Sequence, residues 1–350
     1  MIGTSLFSSA GISETYFNEI GVNITVANEL LEERANLYRS VNKDCNMIAG
    51  DIQNEKIFNQ ILESSSDSLD FLIASPPCQG MSVAGKNRSK NQMLTDERNF
   101  LVFRIIEFIE KKNPNYVLIE NVPTFFKIEL PFQGQLMKII DILSLLFKDK
   151  YQIEAEEYDA QLFGVPQRRV RAIIKMYKKG LKWNSPTTEN IITVEEAIGH
   201  LPSIEANEKS NLKWHFARKH NERHITWMQN TPTGKTAFEN KIHFPVKENG
   251  DRIKSYNTTY RRIKWDEPAP TITMRNDAIS SQLNVHPGRK LSNGLYSDAR
   301  VLTPLELMLL SSLPADWNIP NDTNELLIRK CIGECIPPLL IKKIVEQIHN

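Results

Sequence analysis

Short apolar runs alternate with amphipathic stretches over roughly the first half of the chain. Runs at Gly3–Phe7, Asn23–Ala27, Asn46–Ala49, Phe71–Ala74, Tyr116–Glu120, Gln152–Tyr158 and Val170–Met176 have the length of buried strands. Between them, helical spacing predicts helices over Ile12–Ile20, Glu29–Val41, Asn54–Glu63, Asn99–Lys112 and Gln135–Phe147. In the fourth, Phe100, Phe103, Ile106 and Ile109, with Val102 and Ile105, make one broad apolar face. Strand and helix in alternation mean βαβ units and a mixed, mostly parallel, doubly wound α/β sheet. From Lys178 to about 258 the periodicity weakens and the turn dipeptides Ser185-Pro186, Thr231-Pro232 and Asn249-Gly250 enter. Order returns near Pro268, and Pro338–Ile348 closes on a helical pattern. The expected division is a main unit of 1–177 plus 265–350 and a smaller unit of 178–264.

Composition narrows the class. The 350 residues are 41% hydrophobic and 24% charged, the balance of a soluble globular protein. No apolar run reaches the ~18 residues of a membrane span, and the N-terminus lacks the pattern of a signal peptide. The four cysteines, Cys45, Cys78, Cys331 and Cys335, suggest reduced thiols and a cytoplasmic setting. Cys331 and Cys335 fit one helix face better than a metal site, and no metal pattern is found. Net charge is only +1, yet the stretch from His200 to Lys264 holds 13 Lys and Arg against 6 Asp and Glu, with five of the seven histidines. A basic segment on a mildly acidic body suits contact with a polyanion, or is a solvated surface.

Candidate chemistry sits where strands end. Phe71–Ala74 runs into Ser75-Pro76-Pro77-Cys78-Gln79-Gly80, and two prolines force the chain to stop and turn just before a thiol. The carboxyl end of a strand is where open α/β sheets place their chemistry; a buried structural cysteine is the plainer reading. Three further segments join it: Ile119-Glu120-Asn121-Val122-Pro123, Gln167-Arg168-Arg169-Val170-Arg171, and Pro268-Ala269-Pro270-Thr271-Ile272-Thr273-Met274-Arg275. Alternation sends Arg169 and Arg171 to one side of a strand.

In this order and spacing the segments resemble the DNA cytosine-5 methyltransferase family of bacterial restriction-modification systems. The motifs that carry the resemblance are Pro-Pro-Cys-Gln at 76–79, Glu-Asn-Val at 120–122 and Gln-Arg-Arg-Val-Arg at 167–171. It implies a Rossmann-like class I S-adenosylmethionine-dependent methyltransferase domain over 1–177 and 265–350, with a target-recognition domain at 178–264. It implies methylation of cytosine C5 in a short double-stranded DNA sequence, with the base flipped out of the helix. Cys78 would be the nucleophile that adds at C6. Glu120 would carry a proton at N3, and Arg171, with Arg169, would hold the base.

The resemblance assigns further residues. The family's first cofactor loop, normally Phe-Ala-Gly-x-Gly-Gly, matches Phe7-Ser8-Ser9-Ala10-Gly11-Ile12, with Ser9 and Ile12 in place of two glycines. Phe7, Ala10 and Gly11 would line the cofactor. Glu29 would bind its ribose, or serve as a helix N-terminal acid, with Leu30 next to it. Asp51 and Ile52 would meet the adenine, and Pro77 the methionine end. Gly333-Glu334-Cys335-Ile336-Pro337-Pro338 resembles the family's last motif with Glu334 for an asparagine, and Glu334 and Ile336 would complete the pocket. DNA contacts are expected from Gln79, Ser82, Lys86 and Arg88 in a lid over Gly80–Asn99, from Arg218, Lys219 and Arg223, and from Arg275. His215, His220 and His224 read as surface histidines rather than zinc ligands. A monomer is expected, paired in function with a cognate restriction endonuclease without stable binding, and without membrane contact. Three rivals are weighed. An exocyclic-amine methyltransferase follows Ser-Pro-Pro with an aromatic, where this chain has Cys78. A transfer-RNA methyltransferase has a shorter middle region. A catalytically dead DNA-binding module predicts a broken catalytic set.

Overall fold

The computed structural model describes residues 1–77 and 100–349. Cys78, Gln79, Ser82, Lys86, Arg88 and the expected lid therefore lie outside the described residues. A seven-stranded sheet organises the first half of the chain. Its strands are β1 (Ile2–Leu6), β2 (Asn23–Glu29), β3 (Asn46–Ala49), β4 (Phe71–Ala74), β5 (Tyr116–Asn121), β8 (Tyr151–Asp159) and β9 (Val170–Lys178). A hairpin outside the sheet supplies β6 (Glu129–Phe132) and β7 (Gln135–Lys138). The order is β3-β2-β1-β4-β5-β9-β8; the first five run parallel, and β9 is antiparallel to both neighbours. This is the mixed, mostly parallel α/β sheet expected.

Central strands read as unbroken apolar runs because both faces are covered. Leu72, Val117 and Ile174 join one core with Phe58, Ile61, Ile105, Phe108 and Ile142. Their neighbours Ile73, Leu118 and Ile173 point the other way, into a core with Tyr38, Leu340 and Ile344. Trp183 plugs the second face, its indole N–H donating to the Ile344 carbonyl at 2.7 Å.

Some elements depart from the sequence expectation. Gln135–Phe147 is not one helix: Gln135–Lys138 is β7, and the helix is Ile139–Phe147. Gln133 and Gly134 both have positive φ, 48° and 79°, the backbone of a tight hairpin turn. Ile12–Ile20 breaks into two short 3-10 turns, Ile12–Glu14 and Phe17–Ile20, the first entered and the second left by a left-handed glycine (Gly11, Gly21). The final helix ends at Val345, and Ile348–His349 pairs with Lys182–Trp183.

The second unit does not stop at 264. Trp227, Met228 and Tyr260 share a core with Ile279, Val285, Ala299 and Val301. The fully buried Arg262 donates to the carbonyls of Met228, His286, Ser297 and Asp298. This core takes residues from both sides of 264, and its strand-like pairings are isolated bridges that carry no sequence period.

Candidate active site and cofactor pocket

Glu120 and Asn121 end β5 where Ala74 ends β4, so the sheet brings this polar pair beside the Ser75-Pro76-Pro77 turn. Asn121 Nδ2 donates to the buried Pro76 carbonyl at 3.0 Å and fixes the backbone two residues before Cys78. Glu120 lies opposite Ile173 on β9, and Arg171 is two positions away on the same face. Arg171 Nε and Glu120 Oε1 form an ion pair at 2.8 Å, with both side chains about nine-tenths buried. Among the described residues no hydrogen bond is made to Glu120 Oε2. Cys335 shares this corner: burial pushes its thiol up to about 12, so it stays protonated at neutral pH despite Arg169 and Arg171 nearby.

Arg169 and Arg171 share a side but not a role. Arg169 donates to the carbonyls of Ile272 at 2.7 Å, Gly333 at 3.0 Å and Glu334 at 2.9 Å. It clasps the segment after Pro270 and the last motif onto the sheet, and among the described residues Arg171 is the ion-pair partner of Glu120.

The expected cofactor residues gather over β1 to β3. Phe7 and Ser9 adopt left-handed φ of 60° and 48°, and Gly11 has φ of 73°. At Gly11 a Cβ would lie 2.9 Å from the Tyr38 ring, so this glycine is required. Non-glycine residues in that region cost on the order of 1–3 kcal/mol each. Glu29, at the end of β2, offsets part of this: its Oε2 accepts from the Ser9 N–H and its Oε1 from the Leu31 N–H, both at 2.9 Å. Each oxygen keeps a lone pair that a ribose hydroxyl can use. Leu30 is 61% exposed beside it. Asp51 is exposed and Ile52 buried at the end of β3. These residues fit a nucleoside-bearing cofactor. The two residues of the last motif are placed as follows. The Glu334 carboxylate pairs with Arg34 at 2.7 Å, and Ile336 is buried in the core with Ile73 and Leu340. Pro77 is half-buried.

In the second unit, Arg218 pairs with Glu325 at 2.9 Å, and Arg223 donates to the Val246 and Lys247 carbonyls. Lys219 and Arg275 are exposed. His220 Nε2 accepts from the Val301 N–H, and burial pushes it down to about 4. His215 is buried, and His224 packs on Trp227 and Tyr260. The expectation that these three are surface histidines is corrected: they belong to the packing of the unit.

One cluster was missed from sequence. Arg300, wholly buried, binds Glu306 through both terminal nitrogens at 2.8 and 2.9 Å and Asp298 at 2.8 Å. Glu306 also caps its own helix by accepting from the Thr303 N–H at 2.7 Å. Burial pushes the Glu306 carboxyl up, but Arg300, His286 and the Thr303 N–H together outweigh it and hold the group down at about 2. The Thr303-x-x-Glu306 capping box was the available signal.

The model of the C-5 cytosine-specific DNA methylase family matches residues 1–350. The chain belongs to this family and is a DNA cytosine-5 methyltransferase. Among its relatives, it is 56% identical over 351 residues to the Type II methyltransferase M1.HgaI of Avibacterium volantium, covering 100% of this chain and 98% of that one. It is 25% identical over 345 residues to the Type II methyltransferase M1.HphI of Haemophilus parahaemolyticus, covering 98% and 85%. In fold it is similar to a candidate DNA modification methyltransferase encoded in an Escherichia coli prophage, with a TM-score of 0.71, 19% identity and coverage of 99% and 98%.

Proposed function

We propose that this enzyme methylates C5 of one cytosine within a short double-stranded DNA sequence, through base flipping and a covalent adduct between Cys78 and C6, and that it protects host DNA in a restriction-modification system. The observation that carries the reading is the corner at the ends of β4 and β5. There Asn121 anchors the turn that leads to Cys78, and Arg171 pairs with Glu120, whose Oε2 accepts no hydrogen bond among the described residues.

Cytosine C5 is a poor nucleophile until a group adds at C6, and a thiolate suits that addition. Charge then spreads over the ring, and a proton held between Glu120 Oε2 and N3 relieves it. Arg171 keeps the carboxyl pointed at one place, which preorganises that step. S-adenosylmethionine supplies the methyl group to C5 when bound; Glu29, Leu30, Asp51 and the loop Phe7–Gly11 are the residues that would hold it. Loss of the C5 proton and departure of Cys78 complete the cycle. An in-stack base cannot be reached at C6, so the base must leave the duplex.

The second unit supports target recognition by its surface. Between Lys241 and Tyr256, Ile242 is 80% and Tyr256 75% exposed, and Arg252 stacks over Phe244 at 3.9 Å beside exposed Lys254. Basic and aromatic groups together suit phosphates and bases. Among the described residues no helix is long and apolar enough to cross a membrane. We propose a cytoplasmic monomer, since one chain supplies every named group, and a cognate nuclease that shares the DNA site without binding the enzyme. Bisulfite sequencing of plasmid from a host expressing the protein tests the function: 5-methylcytosine in one recurring context is expected, and unmodified plasmid would contradict it.

A further inference from the structure

The loop Phe7–Gly11 stands on a buried relay that the assigned roles do not use. Ser8 Oγ donates to the Ser5 carbonyl at 3.0 Å and to Ser5 Oγ at 2.9 Å. Ser5 Oγ in turn donates to Glu14 Oε1, and Tyr38 Oη donates to Glu14 Oε2. The Tyr38 ring is the surface against which Gly11 lies. Both halves of the loop, Ser8 and Gly11, thus rest on groups that one carboxyl holds. Glu14 is buried, and among the described residues no cation pairs with it. Leaving a carboxyl in that position is costly, so the site must gain something by it. What it needs is visible above: Phe7 and Ser9 hold left-handed backbone without being glycine.

We propose that Glu14 is a positioning residue for the cofactor loop, acting through Ser5 and Tyr38 to hold the loop's left-handed backbone, which at Ser9 the family's glycine would otherwise supply. The proposal rests on the reading of this loop as the S-adenosylmethionine site. Burial raises the Glu14 carboxyl to about 7. Tyr38 and Cys45 face the carboxyl, and Lys43 and Asp44 are exposed at the rim of the cavity beside it. Both protonation states can be satisfied. The carboxylate accepts from Ser5 and Tyr38; the acid can donate to Tyr38 while that hydroxyl turns to Cys45 Sγ, 3.5 Å away.

The test is calorimetric binding of S-adenosylmethionine, with KM and kcat, for wild type, Ser5→Ala, Tyr38→Phe, Ser9→Gly and the Ser5→Ala/Ser9→Gly double variant, each checked by melting. Ser5→Ala is expected to weaken binding about tenfold and to raise KM for the cofactor more than it lowers kcat. Tyr38→Phe, which keeps the ring, is expected to weaken it about threefold, and is the second probe should Ser5→Ala melt early. Ser9→Gly in the Ser5→Ala background is expected to restore at least half of the lost affinity, which a merely structural serine would not predict. Ser5→Ala and Tyr38→Phe binding like wild type would overturn the proposal, and so would a double variant as weak as Ser5→Ala. A wild type that binds no S-adenosylmethionine would overturn the cofactor reading itself, and this proposal with it.

Discussion

Two buried Arg–Glu pairs divide the work of this molecule. Arg300 and Glu306 are closed: two guanidinium nitrogens meet two carboxylate oxygens, Asp298 takes a share, and Glu306 also caps its helix. Arg171 and Glu120 are more open: their ion pair is 2.8 Å long, and among the described residues no hydrogen bond is made to Glu120 Oε2. A closed pair joins segments from 298 to 306 into one rigid core. An open pair has a lone pair left for a substrate. The same two residue types thus separate structure from chemistry by how many of their hydrogen bonds the protein keeps for itself.

Glu120→Gln should sharpen this most. Turnover is expected to fall by roughly 10²–10⁴ while melting shifts little. The comparison breaks if the variant melts as early as one lacking Arg300. Arg300→Met strands two buried carboxylates and should lower stability by about 3–5 kcal/mol, read by urea unfolding, with turnover per folded molecule retained. Losing turnover without stability would reverse the assignment.

Acid should separate the closed pair from Glu14. Glu306 is held below its unfolded value, so its contribution is present above about pH 4.5 and is lost as pH falls toward 2. Glu14 is raised, so the native state holds more protons than the unfolded one between about pH 4.5 and 7, and stability falls as pH rises through that window. Glu14→Gln should flatten the slope between pH 5 and 7 and leave the acid loss in place. An unchanged slope would mean another group titrates there. The smallest effect is expected at Arg275: alanine there should weaken DNA binding a few-fold and reduce its salt dependence by about one counterion. No change would remove Arg275 from the DNA face.

Much of this was legible in the sequence, for physical reasons that also mark where legibility ends. β4 and β5 were readable because burial on both faces makes them continuous apolar runs. The turn before Cys78 was readable because two prolines leave the chain no alternative. Alternation placed Arg169 and Arg171 on one side of a strand but says nothing of depth, so the clasp on Ile272 and Gly333 stayed hidden. The second unit was least readable. It is held by buried arginines on carbonyls and by isolated bridges, and neither has a period. Ser9 and Ile12 announced a departure in the cofactor loop; only coordinates show Glu29 and Glu14 beneath it.

The central claim is a bond between Cys78 and C6 of a flipped cytosine. It is tested most directly with duplex DNA that carries 5-fluorocytosine at the modified position, since fluorine at C5 cannot leave as a proton does and the adduct is trapped. Wild-type enzyme with S-adenosylmethionine should give a denaturant-stable protein–DNA complex whose linkage maps to Cys78, and Cys78→Ser should give none. A linkage at another residue, such as Cys335 in the same corner, or turnover retained by Cys78→Ser, would contradict the account.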